Sequence, residues 1–218
     1  MARKIAHEIK NPLTPIQLSS ERLSKLIKNN DKNKEMNECI ESISRQVDEI
    51  GHLVNEFSNF ARLPEPKMKK INLNNIISES LTNFKNHKNV RISHKFDKKE
   101  IYLLADENQI SRAVQNLIIN SINSIEESNR KDGLIELVTS IENNQYVVLI
   151  KDNGIGLKYS REDILKPYFT TRKKTGGTGL GLSIVEKILF DHHADFEIYN
   201  RKDIDCGAEV KIKFDYTP

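Results

Sequence analysis

The sequence predicts an α+β protein: an N-terminal antiparallel two-helix hairpin, residues 1–63, followed by an α/β sandwich over residues 71–218. Two observations support this division. Apolar residues recur at alternating steps of three and four as far as Ala61, whereas beyond residue 70 short stretches alternate with period two. The intervening linker, residues 64–70, contains Pro64 and Pro66, and a helix cannot continue through them.

The hairpin is predicted from two apolar runs whose 3.5-residue repeat is typical of a bundle seam. The first run comprises Ile5, Ile9, Pro12, Ile16, Ser19, Leu23 and Leu26, and the second comprises Met36, Ile40, Ile43, Val47, Ile50, Val54, Phe57 and Ala61. The polar residues 28–35 between them predict a turn. Because one hairpin cannot bury both seams, we predict a homodimer in which two hairpins form a four-helix bundle.

The sandwich is predicted from six extended and three helical stretches. The strands are expected at 90–96, 101–105, 133–142, 145–152, 195–200 and 208–214, and the helices at 73–85, 107–127 and 181–192. Asp106 is a suitable N-cap for the middle helix. We expect the helices to cover one sheet face.

Composition excludes several classes of protein. The chain has 37% hydrophobic and 30% charged residues, and none of its apolar runs approaches the ~20 residues that span a bilayer. We expect neither a signal peptide nor a membrane segment within it. Cys39 and Cys206 match no metal-binding spacing, which favours a reduced, cytoplasmic setting. A net charge of +3 gives no indication of nucleic-acid binding.

The predicted helix at 107–127 carries two asparagines beside an apolar stripe. Asn116 and Asn120 are four residues apart and therefore share a face. The stripe comprises Val114, Leu117, Ile118, Ile122 and Ile125. The pair fits either a solvated helix face or a site for Mg²⁺, which prefers hard oxygen ligands shared with phosphates.

The stretch "DNGIG" follows a predicted strand at Asp152. Its Asn-Gly step favours a tight turn. Gly154 and Gly156 would equally let a flat ligand approach the backbone, with the Asp152 carboxylate accepting a hydrogen bond from an exocyclic amine. Both interpretations stay open from these residues alone.

The stretch "TTRKKTGGTGLGLSIV" brings four glycines directly before an apolar helix. Backbone N–H groups at such a helix N-terminus can hold a phosphate, and the upstream cations Arg172, Lys173 and Lys174 add positive charge. It matches neither the P-loop nor the dinucleotide fingerprint. A flexible linker with a basic flank is the alternative.

The stretch "IAHEIKNPLTPIQL" places His7 and Glu8 one turn before Pro12 in a predicted helix. A neutral imidazole is a competent nucleophile near pH 7. Glu8 can orient that ring and accept its proton. Because Pro12 has no N–H, the Glu8 carbonyl loses its helical partner, and we expect a bend there.

Taken in order, the His7 helix, the asparagine helix, "DNGIG", "PYFTTR" and "GGTGLGL" resemble the H, N, G1, F and G2 boxes of bacterial two-component sensor histidine kinases, nearest to the NtrY/NtrB-like nitrogen-regulation branch. The resemblance covers nearly the whole chain. It implies a dimerisation and histidine phosphotransfer hairpin at 1–63 and a catalytic domain of the GHKL ATPase type at 71–218.

The resemblance also implies the chemistry. ATP would phosphorylate His7, and the phosphoryl group would pass to an aspartate in the receiver domain of a response regulator. Glu8 would assist this step. Asn11, with Glu8 in an "E-x-x-N" arrangement, would orient the water that removes phosphate from the regulator.

The nucleotide site is implied in the same way. Asp152 would accept from the adenine amino group, with Gly154 and Gly156 shaping the pocket. Asn120 would coordinate Mg²⁺ and Asn116 would support it. The remaining implied contacts belong to the F box and the lid over the triphosphate: Phe169, Thr170, Arg172, Lys173, Gly177, Thr178, Gly179, Leu180 and Gly181.

Two rival classes were compared with the sequence. Gyrase- and MutL-type ATPases use a glutamate one turn before the metal-binding asparagine, but that position is Asn116, which cannot act as a base. A phosphatase-dominant or kinase-inactive regulatory core is the other alternative. His7 lies only six residues from Met1, so we expect a fragment or shortened product of a parent that is anchored in the inner membrane.

The resemblance is incomplete at two places. The residues around "KKTGG" make the predicted lid slightly longer than the lid of the family pattern. "DHHAD", residues 191–195, replaces the glycine-containing end that is commoner in that helix.

Overall fold

The computed structural model describes residues 2–28, 33–61, 63–84, 87, 89–172 and 177–215. The chain forms two compact units, the first containing residues 1–63 and the second most of residues 64–218. Within the described part, no helix is both long and apolar enough to cross a membrane.

The first unit is a helical hairpin of α1 (Ala2–Lys28) and α2 (Asn33–Ala61), as predicted. The two helices pack together, with Ser19 Oγ 3.4 Å from Ser42 Oγ. Arg22 and Glu35 form an ion pair at 3.4 Å. The helix α1 is continuous through Pro12 and Pro15, and the bend expected at Pro12 stays a prediction.

The apolar seam predicted on α2 divides into two lines in the isolated hairpin. One line is half-buried and comprises Met36, Ile43 and Ile50, and the buried Cys39, which was not part of the predicted seam, lies on the same side. The other line, Ile40, Val47 and Val54, has exposed fractions of 51%, 53% and 47% at a spacing of seven residues. The second line therefore has no partner within the hairpin, among the residues whose side chains are described.

The second unit contains a five-stranded sheet in the order β2-β4-β5-β7-β6 and a two-stranded sheet of β1 and β3. The strands are β1 (Lys69–Asn72), β2 (Val90–Lys95), β3 (Tyr102–Ala105), β4 (Gly133–Glu142), β5 (Gln145–Asp152), β6 (Asp195–Asn200) and β7 (Ala208–Asp215). Among the strands of the described residues, β2 and β4 alone pair in parallel. The six predicted strands are all present, and β1 is an additional one.

Helices α3 (Leu73–Thr82), α4 (Glu107–Glu127), α5 (Arg161–Ile164) and α6 (Gly181–Asp191) complete this unit. The predicted helices were right in position, although α3 ends three residues earlier than expected and α5 was not predicted. The α4 stripe is buried at all five predicted positions, Val114, Leu117, Ile118, Ile122 and Ile125. It packs on β4 and β5 and beside α6, so the helices cover one sheet face as expected.

Strand register brings Asp152 and Asn200 to the same end of the sheet, with Ala208 between them. Asp152 ends β5, Ala208 begins β7 and Asn200 ends β6. Asp152 lies opposite the fully buried Ile135, and Asn200 lies opposite Ala208. Because directly paired residues share a face, these side chains lie on the side of the sheet that the helices cover.

Candidate functional site

The N-cap of α4 was predicted correctly. Asp106 is 7% exposed, and its carboxylate accepts from Gln109 N at 3.1 Å and from Lys67 N at 2.8 Å. Burial alone would raise the pKa of Asp106, but these backbone hydrogen bonds and one from Asn108 outweigh it and lower the pKa below its ordinary value. Asp106 therefore fixes the start of α4 and the linker residue Lys67 together.

The two asparagines of α4 lie close to the first residue of α6. A Cβ built on Gly181 would lie 3.2 Å from Asn116 Oδ1 and 3.8 Å from Asn120 Oδ1. Asn116 Nδ2 donates to Arg112 O at 2.9 Å, which holds that side chain in place. Because Gly181 has no side chain, the N-terminus of α6 lies close to two amide oxygens, and a helix N-terminus favours anions.

These asparagines fit a magnesium site that is shared with a phosphate. Asn120 Nδ2 is buried and has no hydrogen-bond partner among the described residues, so this amide has a free donor that a phosphate oxygen can accept from. The described residues contain no group of three or more His, Cys, Asp or Glu side chains that could hold a metal. Mg²⁺ typically uses few protein ligands and completes its shell with phosphates and water, so a pair of amide oxygens is compatible with it.

The Asp152 carboxylate is enclosed at the end of β5. It is 4% exposed, and Oδ1 accepts from Gly154 N at 2.9 Å and from Ala208 N at 3.3 Å. Burial raises its pKa, although these backbone hydrogen bonds, the Ser121 hydroxyl and the charge of Arg201 oppose the rise. Such a carboxylate is available as a strong acceptor for a ligand donor.

Glycine is required at positions 154 and 156 for two different structural reasons. A Cβ on Gly154 would lie 2.2 Å from Ser124 Oγ, so this position packs directly against the end of α4. Gly156 has φ of +70°, which favours glycine. Ile155 N donates to Ser124 Oγ at 3.1 Å, so the turn is fastened to α4 between its two glycines.

The loop before α6 folds back on the F box. Tyr168 N donates to Gly179 O at 2.8 Å, and a Cβ on Gly179, which has φ of +68°, would lie 2.6 Å from Phe169 O. The Phe169 ring makes an edge contact with Tyr159 at 5.1 Å. Its expected role as an anchor of the lid stays a prediction, as does the role of the neighbouring Thr170.

The predicted lid is only partly described. Gly177 N donates to Arg172 O at 3.0 Å, Thr178 is half-buried, and Leu180 is 1% exposed. Lys173, Lys174 and Gly176 lie outside the described residues.

The predicted phospho-acceptor group lies on the first unit. His7, Glu8 and Asn11 are all within α1, and their side chains lie outside the described part of the structure. Their spacing along a continuous helix is nevertheless informative. Positions three and four apart are neighbours on a helix surface, so both Glu8–Asn11 and His7–Asn11 are neighbouring pairs.

Several supporting residues were not predicted. Asn153 Oδ1 accepts from Leu134 N at 2.8 Å and its Nδ2 donates to Asp132 O at 2.9 Å, so it ties the turn to β4. An asparagine beside the strand-ending Asp152 was the available signal. Asn200 and Arg201, which contact the same turn from β6, gave no sequence signal.

The unusual end of α6 also has a structural role. His192 Nδ1 lies 2.7 Å from Ile188 O and Nε2 accepts from Asp106 N at 2.9 Å, which requires the proton on Nδ1. His193 has φ of +52°, the left-handed position where glycine is common after a helix. "DHHAD" therefore replaces the glycine and adds a buried link to the N-cap of α4.

Two protein-family profiles match the chain. Residues 1–66 match the His Kinase A (phospho-acceptor) domain, and residues 105–218 match the histidine kinase-, DNA gyrase B- and HSP90-like ATPase. The first profile contains His7, and the second contains both α4 asparagines, Asp152 and the glycines before α6.

Curated relatives match over nearly the whole chain. Nitrogen regulation protein NtrY of Azorhizobium caulinodans is 39% identical over 210 residues, which are 91% of this chain and 26% of that protein. An NtrY-like sensor histidine kinase of Rickettsia conorii is 37% identical over 221 residues, which are 99% of this chain and 35% of that protein. The chain therefore spans about a third or less of the length of these relatives.

A solved structure shares the fold. Histidine kinase ThkA, crystallised in complex with response regulator protein TrrA, is similar with a TM-score of 0.74 and 22% sequence identity. The match covers 100% of this chain and 61% of that one.

Proposed function

The chain belongs to the histidine kinase family, in which a phospho-acceptor domain is joined to an ATPase domain, and from this premise we propose that it uses ATP to phosphorylate His7. The phosphoryl group then passes to an aspartate in the receiver domain of a response regulator. The phospho-acceptor hairpin occupies residues 1–63 and the ATP-binding domain residues 71–218.

One observation carries the proposal. The amide oxygens of Asn116 and Asn120 lie close to Gly181 at the N-terminus of α6. That combination supplies oxygen ligands and a helix end that favours negative charge, as a triphosphate requires. In the same unit, the buried Asp152 carboxylate offers the acceptor that an adenine amino group needs.

The residues then divide the work of binding ATP. Asp152 accepts from the base, while Gly154 and Gly156 let the backbone approach it. The N–H groups around Gly179 and Gly181 donate hydrogen bonds to phosphate oxygens. Arg172 and Lys173, which belong to the lid, neutralise the charge that develops during phosphoryl transfer. Asn120, supported by Asn116, would hold Mg²⁺. When bound, that ion offsets the charge on the phosphates.

The acceptor chemistry belongs to His7 and Glu8. A neutral ring nitrogen of His7 attacks the γ-phosphorus, a nitrogen–phosphorus bond forms, and the bond from phosphorus to the β–γ bridging oxygen breaks, which releases ADP. Glu8 accepts the proton that the imidazole loses. In the second transfer, a carboxylate oxygen of the regulator forms a bond to the phosphorus and the nitrogen–phosphorus bond breaks. Glu8 returns the proton to the ring, which restores neutral His7.

Dimerisation is part of the proposal. The line Ile40, Val47 and Val54 is exposed in one hairpin and repeats every seven residues. A second copy of the hairpin would cover it and complete a four-helix bundle. Burial of such a line is favourable at roughly 25 cal/mol per Å² of apolar surface.

A regulator phosphatase activity is the finer proposal. Glu8 and Asn11 are three residues apart on the continuous helix α1, so both can address one phosphorylated partner. The Asn11 amide would orient the water that attacks the aspartyl phosphate. Loss of phosphate from added phospho-regulator, measured with and without Asn11→Ala, tests this activity separately from kinase activity.

The decisive experiment is incubation with γ-labelled ATP and Mg²⁺. The chain should acquire label that is labile in acid and stable in alkali, as a phosphoramidate is. His7→Gln and Asn120→Ala should both lose it. The controls His94→Gln and Asn108→Ala remove the same groups from exposed positions and should retain it. Label that persists in His7→Gln, or a chain that does not bind ATP, would contradict the proposal.

A further inference from the structure

Two residues at the end of β6 form hydrogen bonds with both ends of the turn that begins at Asp152. This turn, residues 152–157, is called the base turn below. Asn200 contacts its last residue and Arg201 contacts its first residue, although both are more than forty positions away along the chain. The two consecutive residues therefore bracket the base turn.

Asn200 holds the far end by two hydrogen bonds. Its Oδ1 accepts from Leu157 N at 2.5 Å and its Nδ2 donates to Leu157 O at 3.1 Å. A Cβ on Gly156 would lie 2.7 Å from Asn200 Oδ1, so the side chain also packs against this residue. Both polar groups of the amide are used on one backbone unit, which fixes its position and direction.

Arg201 holds the near end. Its side chain is 6% exposed, and Nη1 donates to Asp152 O at 3.4 Å. Nε and Nη2 donate to the two Asp203 oxygens at 2.9 Å and 2.7 Å, and Glu136 lies 3.4 Å away. The hydrogen bonds from Arg201 lower the pKa of Asp203 to about 2. A forked pair of this kind fixes the guanidinium plane.

The backbone of the same segment completes the support. Arg201 N donates to Gly207 O at 2.9 Å, and the next residue, Ala208, donates its N–H to Asp152 Oδ1 at 3.3 Å. A Cβ on Gly207 would lie 2.1 Å from Asp152 O, so the segment and the base turn are in close contact. Residues 200–208 thus fix both the carbonyl and the carboxylate of Asp152.

We propose that Asn200 and Arg201 are positioning residues for the nucleotide base, which hold the base turn in its binding shape before ATP arrives. Neither residue is needed for phosphoryl transfer itself. A preformed turn avoids the entropy cost of ordering it on binding, so loss of either grip weakens binding of the base. This inference rests on the proposed function, in which Asp152 receives adenine.

The test compares Arg201→Met with Lys202→Met in the chain as it exists. Both substitutions remove one positive charge from the same segment, but Lys202 is exposed. Asn200→Ala is compared with Asn108→Ala in the same way. Affinities for ATP, ADP and GTP are measured by calorimetry, and label incorporation is measured at saturating ATP and normalised to active sites.

We expect Arg201→Met and Asn200→Ala each to weaken ATP and ADP binding about tenfold, the effect of one hydrogen bond, and to reduce the preference for ATP over GTP. The rate at saturation should stay within about twofold of the parent chain, and both controls should bind normally. A variant that only folds less well would instead have fewer active sites, and the active sites that remain would bind ATP with unchanged affinity.

The outcomes separate the two proposals. If the parent chain neither binds ATP nor acquires label, the proposed function fails and this inference fails with it. If the parent does both and the two variants bind as tightly as their controls, only this inference is overturned. Should Arg201→Met not fold, Arg201→Lys retains the buried cation but loses the fork. It should still bind ATP more weakly, and normal affinity would overturn the inference.

Discussion

Asp152→Asn should weaken ATP binding without lowering the unfolding free energy of the chain. The carboxylate is 4% exposed and accepts from Gly154 N and Ala208 N through the same oxygen, Oδ1. An asparagine of nearly the same shape can keep that oxygen and both hydrogen bonds. What it removes is the negative charge and the second acceptor oxygen, which the proposed function assigns to the adenine amino group.

The magnitude follows from these contacts. A hydrogen bond to a charged group contributes about 1.5–3 kcal/mol, so ATP affinity should fall roughly ten- to hundredfold. The unfolding free energy without nucleotide should be unchanged or about 1 kcal/mol higher at pH 7, because the buried charge no longer has to be desolvated. Exposed Asp132 is the matched control position, with a side chain that is 80% exposed.

The pH dependence of stability gives a second readout. Burial raises the folded-state pKa of Asp152, so the native state binds the proton more tightly than the unfolded state. The stability contributed by this group therefore falls as pH rises from the ordinary aspartate value through the raised one. Asp152→Asn should lack this dependence, whereas Asp132→Asn should keep it.

Calorimetry with ATP and urea unfolding without nucleotide measure the two effects. If Asp152→Asn bound ATP like the parent chain, Asp152 would not recognise the base. If it unfolded more than about 3 kcal/mol more easily, the charge itself would be holding the fold, and the reasoning from desolvation would be wrong.

Three further perturbations have clear expected outcomes. Asp106→Ala removes the N-cap of α4 and the acceptor for Lys67 N, and should lower the unfolding free energy by about 2 kcal/mol in urea at pH 7. Because the pKa of Asp106 is lowered in the fold, this difference should shrink as pH falls from the ordinary aspartate pKa through the lowered one, and a constant difference would contradict the assignment. Val47→Glu places a charge in the exposed apolar line of α2 and should shift the dimer towards monomer in analytical ultracentrifugation, while an unchanged mass would place the interface elsewhere. Gly181→Ala improves helix propensity by about 1 kcal/mol, but its Cβ would lie 3.2 Å from Asn116 Oδ1. Thermal stability should therefore be kept while ATP affinity falls, and unchanged affinity would exclude Gly181 from the phosphate site.

Much of the fold could be predicted because its signals are local. Extended stretches, several of them alternating with period two, indicated six of the seven described strands, and the apolar stripe of α4 is buried at each expected position. Asp106 was recognisable as an N-cap because a cap acts within one helical turn. Strand β1 was missed because "KKIN" has a single apolar residue, and its extended form depends on pairing with β3.

The candidate site divides in the same way. The spacing of Asn116 and Asn120 showed that they share a face, but only the packing of α6 beside α4 reveals that Gly181 lies next to them. Likewise, the repeat in α2 predicted one seam, and only the hairpin shows that Ile40, Val47 and Val54 stay exposed.

The sequence by itself determined the order of the longer helices and of six strands, the asparagine pair and the two glycine-rich turns, because periodicity, capping and turn chemistry act over a few residues. The tertiary structure decided which distant residues support them. Asn200 and Arg201 reach the base turn only because β7 lies between β5 and β6 in the sheet. Strand order is a property of the whole domain, and no short stretch of the chain encodes it.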